Sequence, residues 1–217
     1  MGFDDDASMV ASLDTLFSSA LLWKAKGAVQ ASNACMPSEY ARLDERLPGG
    51  GWPCPGLVEV LHASAGIGEL SLFIPALKRL IADERIPEPR SIAWFNPPYL
   101  PYAPALLERG IDPGRLLVSR TLTPTQTLWA TEQALRSGAC LAVLAWVEGA
   151  SLHSLRRLKL AAHAGGCLGV LFRSLRQRKQ ASPATLRLAL WGNDTHLAIE
   201  IVKAQGGKTG IVTLDRR

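Results

Sequence analysis

The sequence predicts an α/β fold with a mainly parallel central sheet flanked by helices and with antiparallel strands at its C-terminal edge. The chain has 217 residues, 47% of them hydrophobic, which suits one domain with a buried core. From residue 57 to residue 172, short apolar runs alternate with segments of helical periodicity, as in a parallel sheet with crossover helices. After residue 184 the apolar runs follow one another without a helical segment, which favours antiparallel strands.

The individual elements follow from these local patterns. The continuous apolar run 140–147 is typical of a strand buried on both faces. Pro75 inside the helical segment 69–83 indicates a kink or a helix that restarts there. Pro124 and Gly138 bound the next long helix. Strands are also expected at 57–61, 91–95, 115–119, 167–172, 185–191, 197–203 and 210–214, and helices at 105–109 and 151–164.

The first 40 residues differ from the rest of the chain. An acidic lead, residues 1–8, precedes a helical pattern over 9–26 and a linker over 28–39. We therefore expect an N-terminal helical arm over 1–40 and one domain over 41–217. The acidic start does not resemble a secretory signal, and no apolar run is long enough to span a membrane, so the expected location is the cytoplasm.

Charge is distributed unevenly along the chain, whose net charge is +5. Residues 151–217 hold 12 Lys and Arg against 3 Asp and Glu, whereas residues 1–150 hold 12 against 16. This asymmetry indicates a basic surface for a polyanion, or serves solubility alone. The four Cys and four His show no metal-ligand spacing, so no metal and no cofactor are expected.

Several short motifs carry a family resemblance over residues 43–150. The stretch from Leu43-Asp44 through Gly56 resembles the lead-in of RecA/RadA-type ATPases. The finer match is to the ImuA proteins, which are RecA- and SulA-like and are associated with bacterial translesion synthesis. It is carried by Leu47-Pro-Gly-Gly-Gly-Trp52, Gly66-Ile-Gly-Glu-Leu70, Pro97-Pro98 with Pro101-Tyr-Ala-Pro-Ala-Leu106, and residues 128–139. The resemblance implies a RecA-like core.

The phosphate loop that this resemblance implies is degenerate. A working loop ends in Gly-Lys-[Ser/Thr], where the Lys reaches the phosphates and the hydroxyl holds Mg²⁺. Here Gly66 and Gly68 are kept, but Glu69 and Leu70 replace the Lys and the hydroxyl residue. Glu69 would repel a polyphosphate, and we expect its carboxylate to occupy the N-terminus of the following helix instead.

Two further positions expected in an ATPase are also changed. No Asp ends the strand 140–147, and Asn96 stands where the resemblance implies a catalytic Glu. The sequence therefore predicts that the protein is not an enzyme.

Two groups of residues are candidate binding sites. In RecA-like proteins the loop after the strand 167–172 contacts single-stranded DNA, and here it carries Arg173, Arg176, Arg178 and Lys179. Arg156 and Lys159 extend this patch or face water. On the arm, Phe17 and Ala20 fit the Phe-x-x-Ala pattern by which RecA-family protomers dock on neighbours, or pack on their own domain.

The resemblance implies an accessory protein of the SOS response. Its implied partners are a Y-family polymerase-like protein of the ImuB type, an error-prone replicative-type polymerase, and RecA. Single-stranded DNA and a second copy of the chain are further candidate partners. The alternative is a SulA-like inhibitor that binds a cytoskeletal GTPase and blocks cell division.

Overall fold

The computed structural model describes residues 35–83, 90–120, 123–193 and 195–215. Phe17, Ala20 and the rest of the predicted arm up to residue 34 lie outside these residues, so the arm and the boundary at residue 40 stay predictions. Within the described residues, no helix is both long enough and apolar enough to cross a membrane.

In this part of the chain the α-helices are short, and the two longest are 13 residues each. They are α1 (Ala41–Asp44), α2 (Ile74–Ile81), α3 (Ala103–Glu108), α4 (Pro124–Arg136) and α5 (Leu152–Ala164). The strands are β1 (Cys35–Met36), β2 (Trp52–Pro53), β3 (Gly56–His62), β4 (Ser91–Phe95), β5 (Leu116–Ser119), β6 (Cys140–Trp146), β7 (Leu168–Ser174), β8 (Leu186–Gly192), β9 (His196–Ala204) and β10 (Gly210–Asp215).

Eight strands form one sheet in the order β10-β9-β8-β3-β7-β6-β4-β5. All pairs from β8 to β5 are parallel, and β9 runs antiparallel to both β8 and β10. The predicted mixed α/β fold with a mostly parallel sheet is confirmed. A two-stranded ribbon, β1 with β2, accompanies it.

The antiparallel part of the sheet starts one strand later than expected. β8 was expected to be antiparallel, but it runs parallel to β3, with Val58 opposite Leu186. The 11 residues between the end of β7 and the start of β8 carry the chain from the carboxyl end of β7 back to the end of the sheet where β3 begins, without an α-helix. A crossover of about a dozen residues is long enough to connect parallel strands, so the missing helix does not require a hairpin.

Apolar side chains bury both faces of the sheet. One layer lies between the sheet and α2 and includes Trp52, Phe73 and Trp94. The other lies beneath α4 and α5 and includes Leu135 and Leu158. Because both faces are covered, the central strands read as continuous apolar runs in the sequence.

The helix that follows β3 begins later than the sequence pattern suggests. Residues 69–73 form turns, and α2 begins only at Ile74, with Pro75 in its first turn. Proline is favoured there because the first helical N–H groups have no partner inside the helix. Of the two interpretations of Pro75, a helix starting at this point is the observed one.

Candidate functional site

A cleft of about 470 Å³ lies where β3, β4, β6 and β7 end. The carboxyl ends of parallel strands meet at this edge, which is where open α/β sheets bind ligands. Asn96, at the end of β4, holds a positive φ of 52°. Its Nδ2 donates a hydrogen bond of 2.6 Å to Oγ1 of Thr127 on α4, so the side chain bridges the end of the sheet to a helix.

Aromatic rings form one wall of this cleft. Trp146 stacks on Phe172 with 4.6 Å between ring centroids and 20° between planes, and His62 meets Phe172 edge-on at 6.2 Å. Glu148 is the acidic residue among those lining the cleft, and it is exposed. Among the described residues, no three His, Cys, Asp or Glu side chains are grouped so as to hold a metal ion. The cleft offers stacking and hydrogen bonding.

The loop after β3 is closed by its own carboxylate. The N–H of Gly66 donates to both carboxylate oxygens of Glu69, at 2.9 and 3.1 Å, and Glu69 is only 4% exposed. Gly66 and Gly68 take φ values of 86° and 100°, which glycine adopts without strain. Leu70 packs against the apolar layer on the α2 side of the sheet.

The helix N-terminus expected beside Glu69 is absent, because α2 begins five residues later. Glu69 therefore acts through a direct hydrogen bond within the turn and not through a helix dipole. The expectation that the Glu69 carboxylate occupies the N-terminus of the following helix is therefore wrong.

Glu59, in the middle of β3, binds two arginines inside the protein. Nη1 of Arg173 donates to its Oε1, and Nε of Arg187 donates to its Oε2 at 2.6 Å. Side-chain exposure is 1% for Glu59, 0% for Arg173 and 6% for Arg187. The second Nη of Arg173 donates to the carbonyl of Ala150 at 3.2 Å. This ion triad joins β3, β7 and β8.

Arg173 is therefore not part of an exposed basic loop. It belongs to β7, which continues to Ser174, and its side chain points into the protein. A buried guanidinium must be paired, and Glu59 supplies the pairing charge. The prediction that Arg173 contacts DNA is corrected on this ground.

A single 3₁₀ turn, Leu175–Lys179, carries the remaining cations of this stretch. Arg187 contacts the backbone of this turn. Its Nη2 donates to the carbonyl of Gln177 at 3.2 Å, and its Nη1 donates to the carbonyl of Gln180 at 3.0 Å. We call residues 175–180 the basic turn. Because the triad fixes Arg187, it also fixes the backbone of the basic turn.

The cations on the basic turn are not equivalent. Arg178 forms an ion pair of 2.5 Å with Glu200 on β9. Arg176 and Lys179 are exposed, and neither takes part in an ion pair found among the described residues. Arg176 and Lys179 are therefore the positive charges that this turn offers to a ligand.

Arg156 and Lys159 lie on α5, as predicted. Arg156 is exposed, and Nζ of Lys159 donates to Oε1 of Gln205 at 3.4 Å. Burial and the charges of Lys159 and Arg187 lower the pKa of Lys203 on β9. The structure thus brings Lys159 close to Lys203.

The sequence analysis did not predict a group of exposed apolar residues in the loop after β4, in α3 and on the edge strand β5. Tyr99 and Tyr102 are each 71% exposed and Leu100 is 68% exposed. Leu117 on the edge strand β5 is 58% exposed. We call this region, with Leu107 and Val118, the 99–118 surface. The available signal was three large apolar residues among closely spaced prolines, where water-facing loops usually carry polar side chains.

Comparisons with known proteins relate this chain to two groups. No protein-family model matches it. It is 27% identical over 136 residues to the cell division inhibitor SulA of Yersinia enterocolitica, covering 61% of this chain and 78% of that protein. It is 30% identical over 119 residues to SulA of Edwardsiella piscicida, covering 55% and 68%. It is 31% identical over 131 residues to protein ImuA of Caulobacter vibrioides, covering 59% and 53%.

Among solved structures, SulA from Pseudomonas aeruginosa matches 54% of this chain and 97% of its own, with a TM-score of 0.44 and 24% identity. The chain spans about half the length of the ImuA relative and more than two thirds of the SulA relatives. The resemblance to ImuA and to SulA is therefore confirmed at the level of relationship, and the chain belongs to an ImuA/SulA-like family.

Proposed function

We propose that this protein is a non-catalytic accessory protein of the SOS response, built on a RecA-like core, and that it acts in mutagenic translesion synthesis by binding other molecules. The closed loop after β3 carries this proposal. In an ATPase the N–H groups of this loop cradle phosphate, whereas here the N–H of Gly66 binds the carboxylate of Glu69. A second anion at the same place meets electrostatic repulsion in a partly buried turn.

The strand order supports the RecA-like part of the proposal. β7 lies between β3, whose end carries the closed loop, and β6, whose end faces the cleft. Asn96 and Glu148 line this cleft at the ends of β4 and β6. The proposal assigns this cleft to the position of the nucleotide site of a RecA-like core, with a wall of aromatic and amide groups in place of nucleotide-binding residues.

The 99–118 surface is the proposed contact for a protein partner. Large apolar side chains that face water at a sheet edge are typical of protein-binding surfaces. From the ImuA resemblance, the partners are a Y-family polymerase-like protein of the ImuB type, an error-prone replicative-type polymerase, and RecA. The two exposed cations of the basic turn, Arg176 and Lys179, are the proposed contact for phosphates of single-stranded DNA.

The nearly even matches to SulA and ImuA leave cell-division inhibition as the competing function. The segments that match SulA relatives cover 54–61% of this chain. Residues 151–217 hold 12 Lys and Arg against 3 Asp and Glu. This basic C-terminal third favours the accessory role with an anionic ligand.

The test measures damage-induced mutation frequency in cells that lack the gene and carry a plasmid copy. We expect Leu100→Asp and Tyr102→Asp to abolish induced mutagenesis, and Arg176→Ala with Lys179→Ala to reduce it. The matched control is Ile211→Asp, which changes an equally exposed apolar residue, 64% exposed, on another surface. Wild-type mutagenesis in the Leu100 and Tyr102 variants, or cell filamentation on expression of the wild type, would count against the proposal.

A further inference from the structure

Helix α5 has an outward face that is both apolar and basic. Leu152, Arg156, Leu160 and His163 recur at helical spacing, and all four are exposed. Leu160 is 69% exposed and Leu152 is 39% exposed. The outward face of a helix that only meets water is normally polar. We call these four residues the α5 ridge.

A tryptophan on the neighbouring helix extends this surface. Trp129 on α4 is 63% exposed and lies one turn before Glu132. Glu132 accepts hydrogen bonds from Nη2 and Nε of Arg157 on α5, at 2.5 and 3.2 Å. A Cβ atom at Gly165 would lie 1.9 Å from the carbonyl oxygen of Leu135, so the ends of the two helices are in close contact. The α5 ridge and Trp129 therefore belong to one fixed two-helix face.

This face is positively charged. Helix α5 contains no Asp or Glu. Arg157 shares the carboxylate of Glu132 with Arg136. Arg156 and Lys159 take part in no ion pair found among the described residues. Burial and the charge of Lys159 lower the pKa of His163, which favours its neutral ring. Two exposed leucines are thus accompanied by two uncompensated cations.

We propose that the α5 ridge, together with Trp129, docks an acidic amphipathic helix of a partner protein. Leu152 and Leu160 are about 12 Å apart along the helix axis, which matches an apolar row of two to three turns on a facing helix. Acidic residues beside that row would neutralise Arg156 and Lys159. The inference rests on the proposed accessory role and assigns it a second docking surface, separate from the 99–118 surface.

The exposed leucines of the α5 ridge favour a protein over a nucleic acid as the ligand of this face. Phosphate groups gain nothing from contact with exposed Leu side chains, whereas burial of a Leu side chain in a protein interface contributes about 1.5–3 kcal/mol. Tryptophan and arginine are also the residues most enriched among energetically important interface positions. A protein partner that covers Trp129, Leu160 and Arg156 together gains binding energy from each of these three side chains.

The experiment measures binding of two synthetic 20-residue helical peptides by fluorescence anisotropy. Both carry leucines on one face, and the flanking positions are Glu in the first peptide and Lys in the second. We expect the acidic peptide to bind and the Lys peptide not to bind. Leu160→Glu and Arg156→Glu should each weaken binding about tenfold or more, while the control Ile211→Glu leaves it unchanged.

Three results would overturn the inference. In the first, the acidic peptide binds no better than the Lys peptide, or Leu160→Glu keeps full affinity. In the second, sedimentation shows a dimer of the wild type that Leu160→Glu dissociates, so a second copy covers the ridge. In the third, a single-stranded oligonucleotide binds through Arg156 while Leu160→Glu changes nothing. Because these variants leave the basic turn and the 99–118 surface intact, induced mutagenesis tests the proposed function separately.

Discussion

The loop after β3 and the basic turn after β7 lie at the same edge of the sheet, and each depends on a buried glutamate, yet the two segments have opposite outcomes. In the first, the carboxylate of Glu69 accepts the hydrogen bond of the Gly66 N–H directly. In the second, Glu59 holds Arg187, whose other N–H groups bind backbone carbonyls of the turn. This leaves Arg176 and Lys179 exposed. A buried carboxylate thus pairs directly with the backbone of one loop and, through Arg187, fixes the backbone of the other.

The largest effect should follow from removing the glutamate of the triad. Glu59→Ala leaves Arg173 and Arg187 buried without a counter-charge, and breaking such a pairing costs about 3–5 kcal/mol. Urea denaturation followed by circular dichroism measures this loss. The control, Glu45→Ala, removes an exposed carboxylate and should change the free energy of unfolding by less than about 0.5 kcal/mol. Equal losses in the two variants would show that the triad does not stabilise the fold.

A smaller but more local effect is expected for Arg187→Leu. The basic turn loses the donors that hold the carbonyls of Gln177 and Gln180, so its backbone should open more readily. Trypsin, which cleaves after Arg and Lys, reports this as faster cutting within residues 176–179. Arg115→Leu is the matched control, since Arg115 also donates to a backbone carbonyl, that of Arg90, but away from the turn. An unchanged cleavage rate in Arg187→Leu would show that Arg187 does not hold the backbone of the basic turn in place.

Opening the first loop should have a modest effect on stability and none on nucleotide binding. Glu69→Ala removes a charge-assisted hydrogen bond to Gly66, at a cost of about 1.5–3 kcal/mol. Because α2 begins at Ile74, the N–H groups of a helix N-terminus do not lie beside the freed Gly66 N–H, and the loop lacks the donors that bind phosphate in an ATPase. Titration calorimetry with ATP and Mg²⁺ should therefore show no binding to Glu69→Ala or to the double variant Glu69→Lys with Leu70→Thr. Measurable binding by Glu69→Ala would mean that Glu69 alone blocks the site, and binding by the double variant only would mean that the missing Lys and hydroxyl are what prevent binding.

The smallest change in stability is expected for the basic turn variant, which should instead change the binding of single-stranded DNA. Arg176→Ala with Lys179→Ala alters exposed side chains, so the free energy of unfolding should shift by less than about 0.5 kcal/mol. The slope of the logarithm of the single-stranded DNA binding constant against the logarithm of the salt concentration should become less steep by about 0.7 per lost phosphate contact. The control pair, Arg42→Ala with Lys78→Ala, removes two exposed cations from α1 and α2. The same slope in the wild type and the turn variant would exclude this turn as the DNA contact.

The sequence predicted the sheet and its helices well, because continuous apolar runs and helical periodicity reflect burial directly. That the loop with Glu69 and Leu70 is a degenerate phosphate loop stays a prediction, because it rests on the difference between these two residues and a sequence motif. The sequence did not distinguish Arg173 from Arg176. The two are three residues apart and chemically identical, and only the position of Glu59, 114 residues away from Arg173, decides which of them is buried.

The 99–118 surface was missed for a related reason. Tyr99, Leu100 and Tyr102 would be ordinary core residues if another element covered them. Whether the chain covers a loop depends on the tertiary arrangement, which local pattern does not encode. The edge position of β5 was settled by strand order, and strand order depends on pairings between distant segments.

The position of β3 in the sheet also has a consequence for synthesis on the ribosome. Both neighbours of β3 come late in the chain, and Arg187 lies 128 residues after Glu59. At about 5–20 residues per second, roughly 6–26 s pass between translation of the glutamate and of its second arginine. For most of this interval, until β7 and Arg173 have been made, β3 has two unpaired edges and Glu59 has neither of its arginines. The nascent chain is thus exposed to aggregation, and factors that shield emerging strands should raise the yield of folded protein.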